Sequence, residues 1–308
     1  MTGAGSANLA FGKTDGLFGT LVDADGDGNP EYYEPGQDPV IQDITLERAL
    51  SRQRQPNNVW SSQSIAGNLE GAFTVEFTMD DGQQADVEDI VFNTTNPVTL
   101  TSGLAATSRW YVGLDYLSGT AERVLLGCAP IDYTIDYTQG GAIRVTIAFI
   151  YGDEEYNTSF TPSSVIEATG SPAQFHSFDL SVDATVQAKE QSASLQITNI
   201  SQFQRGSQKR PVDVVTGAAE ASLTLNAIFS ETDQLELAYG GSTQTTTSAK
   251  MSDVSGSMTL SAGGAQVSDY QLAKVKPDSY NWADVVSSED TTEDIQFHVN
   301  GEPAVTVA

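Results

Sequence analysis

Strict alternation of apolar and polar residues is the feature that most limits what this chain can become. Ile131, Tyr133, Ile135 and Tyr137 share one face of an extended segment, and Asp132, Thr134, Asp136 and Thr138 share the other. Side chains on a β-strand alternate with a period of two, so the pattern fits a half-buried strand and no single helix face. After Gly140-Gly141 it resumes at Ile143, Val145, Ile147, Phe149 and Tyr151. Glycines supply the positive φ of a tight turn, so the two runs predict a β-hairpin. Phe178, Leu180 and Val182 open another strand. Ile295, Phe297 and Val299 form one more, with Asn300-Gly301 turning the chain toward Val305 and Val307. Only residues 84–92 and 282–286 predict helices, both short. The expected fold is all-β with few short helices.

The same signals recur along the chain. Ile65, Gly67, Glu70, Phe73, Thr74, Val75 and Met79 reappear 150 positions later as Val215, Gly217, Glu220, Leu223, Thr224, Leu225 and Phe229. Leu50-Ser51 reappears as Ile200-Ser201. Each copy runs strand, polar basic loop, glycine, strand, which predicts a tandem duplication. The expected division is an N-terminal arm with an acidic loop (1–36), a first domain (37–165) and a second (166–308). Their boundary falls in the Ser-, Thr-, Pro- and Gly-rich residues 161–174.

Composition narrows the partners. With 308 residues there is enough chain for two cores, and 39% hydrophobic content argues for a folded protein. Fourteen Lys and Arg against 41 Asp and Glu give a net charge of −27. Such a surface repels a phosphate backbone. Acidic residues are spread along most of the length, as suits a protein kept hydrated in concentrated salt. The single cysteine, Cys128, excludes an intrachain disulfide framework and is expected to be a buried, inert thiol. No run approaches the roughly 20 apolar residues of a membrane helix, so no membrane partner is expected. Neither a basic start nor an apolar stretch near Met1 predicts a secretory signal.

Taken together, these segments resemble the tail tube family of tailed viruses, in the form with two fused tube domains. The second copy carries the stronger match. It comprises residues 178–182 and 194–200, the loop Gln202-Phe203-Gln204-Arg205-Gly206-Ser207-Gln208-Lys209-Arg210-Pro211, then Val214-Val215-Thr216-Gly217 and residues 220–229. In the first copy, residues 67–77 resemble the corresponding strand. Leu125-Leu126-Gly127-Cys128 and the following hairpin resemble the family's Gly-Cys segment and closing hairpin. The likeness covers about residues 40–300; the overall acidity and the Asp-rich insertion depart from it.

The resemblance implies two tandem β-sandwich-like, barrel-forming tube domains with long loops. It implies a structural virion protein with itself as partner, in a trimeric pseudo-sixfold ring or a hexamer. Such rings stack into a hollow tail tube, beside other tail proteins, for genome passage. DNA would traverse the lumen without specific binding. Assembly would occur in the host cytoplasm, and the acidity points to a virus of halophilic archaea. The rival expectation is a halophilic secreted or cell-surface β-sandwich binding module, stabilised by calcium.

Two constellations carry candidate site residues. From Asp23 onward, oxygen-bearing residues fall at Asp23, Asp25, Asp27, Asn29, Glu31 and Glu34, with Gly28 at the sixth position. This is the spacing of a calcium loop, in which the glycine permits the sharp turn around the ion. Ca2+ or another divalent cation is therefore the one cofactor expected. Pro30 stands where such loops place an apolar residue. The second constellation is basic: Arg48, Arg52 and Arg54 in one copy, and Arg205, Lys209 and Arg210 in the other. In so acidic a chain these loops are expected to meet carboxylates of a neighbouring subunit or ring, or to relieve repulsion within one subunit. Catalysis is not expected. The two histidines, His176 and His298, sit in no triad-like pattern, and no phosphate-cradling loop or zinc spacing is present.

Overall fold

The computed structural model of the chain describes residues 7–23, 30–54, 56, 59–61, 63–92, 103, 105–116, 119–157, 162, 164–187, 189–241, 243–248, 250–286, 290–300 and 304–307. The first half contains β1 (Ala7–Lys13), β2 (Gln37–Glu47), β3 (Ser51–Gln53), β4 (Gln63–Ile65), β5 (Glu70–Thr78), α1 (Gln84–Phe92), β6 (Ser108–Tyr116), β7 (Gly119–Thr138) and β8 (Arg144–Asn157). The second contains β9 (Phe178–Val182), β10 (Thr185–Val186), β11 (Glu190–Thr198), β12 (Ser201–Arg205), β13 (Pro211–Thr216) and β14 (Glu220–Ile228). It continues with α2 (Asp233–Tyr239), β15 (Val254–Ala262), β16 (Ala265–Ala283), β17 (Thr292–Val299) and β18 (Ala304–Val307). The fold is all-β, with antiparallel pairing in every named ladder.

One strand order occurs twice. The first half runs β1-β6-β7-β8-β5-β2, and the second runs β9-β15-β16-β17-β14-β11. Registers match as well as order. Phe73 lies opposite Phe149 and Val75 opposite Ile147, just as Leu223 lies opposite Phe297 and Leu225 opposite Ile295. Irregularities repeat too. The β7–β8 ladder bulges after Pro130, and β16–β17 bulges after Pro277, where a proline without an N–H cannot hold its rung. Shortly before each proline the chain passes through a positive φ, at Gly127 (61°) and Lys274 (52°). A Cβ on Gly127 would run into the Leu17 carbonyl, whereas the second half tolerates a lysine there. Likewise, Gly67 and Gly217 each press against the carbonyl of a left-handed residue, Ala49 and Asn199 respectively.

The halves form one sheet. Residues 133–138 of β7 pair with residues 192–197 of β11, which places the quartets β7-β8-β5-β2 and β16-β17-β14-β11 side by side. A single apolar cluster includes Phe73, Trp110 and Phe149 from the first half and Leu195, Leu223 and Phe297 from the second. The expected boundary at 161–174 is thus bridged by backbone hydrogen bonds and by shared core.

Two expectations need correction. Residues 7–13 lie within the predicted arm, but they form β1, with Phe11 only 1% exposed and stacked on Trp110. Residues 282–283 end β16 rather than starting a helix, because Trp282 pairs with Glu293 across the ladder. Gly240 caps α2 with φ 129° and donates its N–H to the Glu236 and Leu237 carbonyls. The predicted helix over 84–92, the Gly140-Gly141 hairpin and the buried Cys128 are all present.

Candidate assembly surfaces

The junction between the halves shows what a quartet edge requires. At its centre Ile197, 1% exposed, lies opposite Tyr133, 0% exposed. Beyond β11 the chain turns into the β12–β13 hairpin, which folds over the first half. Ile200 N–H donates to the Ile131 carbonyl (2.9 Å), Leu69 N–H to Lys209 (3.2 Å) and Thr216 N–H to Gly103 (2.9 Å). The Arg205 guanidinium donates to the Leu69 carbonyl at 3.1 Å and lies 3.6 Å from the Glu70 carboxylate. Arg210 pairs with Asp153 and lies over the Phe18 ring, 5.4 Å from its centroid.

A buried polar network completes the junction. Glu88 on α1 accepts hydrogen bonds from Gln84 (2.8 Å) and, across the junction, from Ser268 (2.8 Å) and Tyr270 of β16. Gln84 also donates to the Tyr133 hydroxyl (2.9 Å), which lies 3.0 Å from that of Tyr270. Burial pushes the Glu88 carboxyl above the usual carboxylate range; the Tyr270, Gln84, Ser268 and Tyr133 contacts offset part of the rise. Both tyrosines are held well above their ordinary value by the same burial. An apolar substitute would fill this space at lower electrostatic cost; what the network adds is directional bonding that fixes the geometry between the halves.

The two outer quartet edges have no strand partner among the described residues. β2 pairs with β5 on one side only, and residues 279–283 of β16 pair with β17 only. Several of the exposed large apolar side chains lie at these edges and on or beside the β3–β4 hairpin. Leu46 is 38%, Leu50 63%, Val59 81%, Trp60 80% and Trp282 43% exposed. Burying one such leucine or tryptophan is worth about 2 kcal/mol, so the edges are adhesive.

The solvent face of the joined sheet is polar. Opposite the apolar side chains, its strands present Ser, Thr, Gln and Asn together with Glu70, Asp132, Asp136, Glu220 and Asp294. The Glu76 carboxylate on this face is held by Arg144 at 2.7 Å.

The expected site residues are distributed unevenly. Arg205 and Arg210 are engaged within the chain, as above, and the Lys209 carbonyl helps seat the same hairpin. Arg48, Arg52 and Arg54 stand exposed on or beside β3. Of the acidic spacing, Asp25, Asp27 and Asn29 lie outside the described residues. Glu34 accepts the Ala168 N–H at 2.9 Å, so that carboxylate already ties the segment to the inter-half connection. Asp86 is pushed up to about 6, by burial first and then by its neighbours Asp89 and Glu31. Among the described residues no group of His, Cys, Asp or Glu is arranged to hold a metal ion. His298 lies 3.5 Å from Asp278, both exposed. Sequence reasoning missed the Glu88 network, whose members are far apart in the chain and carry no shared spacing. No protein-family model and no curated protein matches the chain.

Proposed function

We propose that this protein is a structural subunit of a viral tail tube, assembling with copies of itself into closed rings that stack around a lumen. The observation that carries the reading is the pair of in-line quartets, already joined once within the chain and left open at both outer edges. Three chains, each contributing two quartets, would close a ring of six and leave no edge exposed, which removes the aggregation hazard of free strands. Turned inward, the Ser/Thr-rich face and its carboxylates would line the lumen. DNA sliding past would meet like charge and release no counterions, so it would pass without adhering. Leu114, Tyr116 and Tyr156, exposed toward the far end of β6–β8, are available for contact between successive rings.

Negative-stain electron microscopy of the purified protein in molar salt tests this reading. Hollow tubes or rings of uniform width are expected. A monomer at every salt and protein concentration would remove it.

A further inference from the structure

We infer that β2 and the β3–β4 hairpin of one copy dock on the second half of the next copy, repeating the junction that joins β11 and the β12–β13 hairpin to the first half. The inference rests on the self-assembly proposed above but not on a viral role. Its basis is that the edge strands and the hairpin of the internal junction have unused counterparts elsewhere in the molecule.

The register transfers residue by residue. Within the chain, Gln196 lies opposite Thr134 and Ile197 opposite Tyr133. By ladder position, Thr45 and Leu46 stand on β5 where Gln196 and Ile197 stand on β14. Asn281 and Tyr280 stand on β17 where Thr134 and Tyr133 stand on β8. The intermolecular pairs are therefore Thr45 with Asn281 and Leu46 with Tyr280. Burial marks the difference between a filled and an open junction. Ile197 is 1% exposed and Leu46 38%; Ile135 is 0% exposed and its counterpart Trp282 43%.

Two further counterparts are incomplete in the same sense. Gln84 spends its amide nitrogen on Glu88 and Tyr133 within the first half, and these two in turn bond Tyr270 across the internal junction. Gln234, at the same place on α2, is only 3% exposed, yet among the described residues neither its amide nitrogen nor its oxygen has a partner. A buried amide left bare is costly, so this side of the second half is incomplete in the isolated chain. The hairpins differ likewise. β12–β13 is seated by Arg205 on Glu70, whereas β3–β4 carries Arg52 and Arg54 into solvent, and Glu220, the counterpart of Glu70, is exposed. Such docking is head to tail, so it builds rings or filaments rather than a twofold dimer.

Paired cysteines test the register. The native Cys128 is buried, so Thr45→Cys with Asn281→Cys leaves only the new thiols free to react. Oxidation under assembly conditions is expected to give disulfide-linked species larger than dimers on a denaturing gel, with neither single variant cross-linking alone. Products that stop at dimers, or cross-linking by a single variant, would indicate a twofold contact and overturn the inference. A double variant that forms tubes yet stays uncross-linked would overturn it while leaving the tube reading intact. Covalent rings that never stack would do the reverse. Should the double variant fold poorly, Leu46→Asp gives an independent measure, because Leu46 is exposed in the monomer. It is expected to raise the protein concentration needed for assembly at least tenfold with no change in monomer Tm. Assembly at the parent's concentration would count against the docking.

Discussion

At the scale of single residues, the acidic character becomes energetic only where carboxylates are partly buried together. Asp86 sits beside Asp89 and Glu31, and its pKa rises from 3.8 to about 6. A raised folded pKa means that the folded state holds the proton more tightly. The associated stability is complete below pH 3.8 and is lost as pH rises through about 6. Asp86→Asn should therefore raise Tm at pH 7–8 and leave it unchanged near pH 3.5. The gain should be on the order of 1 kcal/mol, because solvent still screens much of the site. Thermal melts of parent and variant across that range check it, and a gain that persists at pH 3.5 would point to another cause. Residue-level features were legible where chemistry is local. Gly140-Gly141 marked a turn, and a lone cysteine in an apolar context was buried. Lys274 was not legible, because nothing in a lysine announces the left-handed backbone it shares with Gly127.

Among elements, alternation identified the strands but not their partners. The runs containing Phe73 and Leu223 read correctly as equivalent strands, since both are central and buried on one face. Ala7–Lys13 was read as part of a polar, Gly-rich arm, yet it buries Ala10 and Phe11 under tertiary packing. The two basic loops looked equivalent in sequence and sit in different surroundings. Only the second has a half-chain of the same molecule to fold onto. Arg205→Glu should therefore destabilise the monomer, because it removes a charged donor from the Leu69 carbonyl and sets a carboxylate beside Glu70. A loss of about 2 kcal/mol is expected, seen as a Tm lowered by several degrees. Arg52→Glu on the exposed counterpart hairpin should leave monomer Tm nearly unchanged and weaken assembly instead. If both substitutions acted alike on the monomer, the assignment of one hairpin to the inside and the other to a neighbour would fail.

For the whole molecule, duplication and charge pull in opposite directions. The duplicated order favours self-association through edges, while a net charge of −27 makes every approach between copies repulsive at low ionic strength. The Debye length falls from about 10 Å at 0.1 M salt to about 3 Å at 1 M, and neighbouring strands lie about 5 Å apart. Carboxylates on adjacent strands, such as Glu47 on β2 and Glu70 directly opposite it on β5, thus repel at low salt and are screened at high salt. Apolar burial at the edges meanwhile strengthens or holds as salt rises. Raising KCl from about 0.1 to about 2 M should therefore raise monomer Tm by several degrees and promote assembly. Dialysis back to low salt should dissolve the assembled material. Asp132→Asn with Asp136→Asn should flatten the salt dependence of Tm, because both carboxylates lie on the solvent face. An unchanged slope would mean that the repulsion resides elsewhere, in the loops rather than on the sheet. The charge total and the outward face of Asp132 and Asp136 were plain from the sequence, but the continuity of that face across both halves was not. That depended on how the two quartets join, and the joining pairs strands about 60 residues apart.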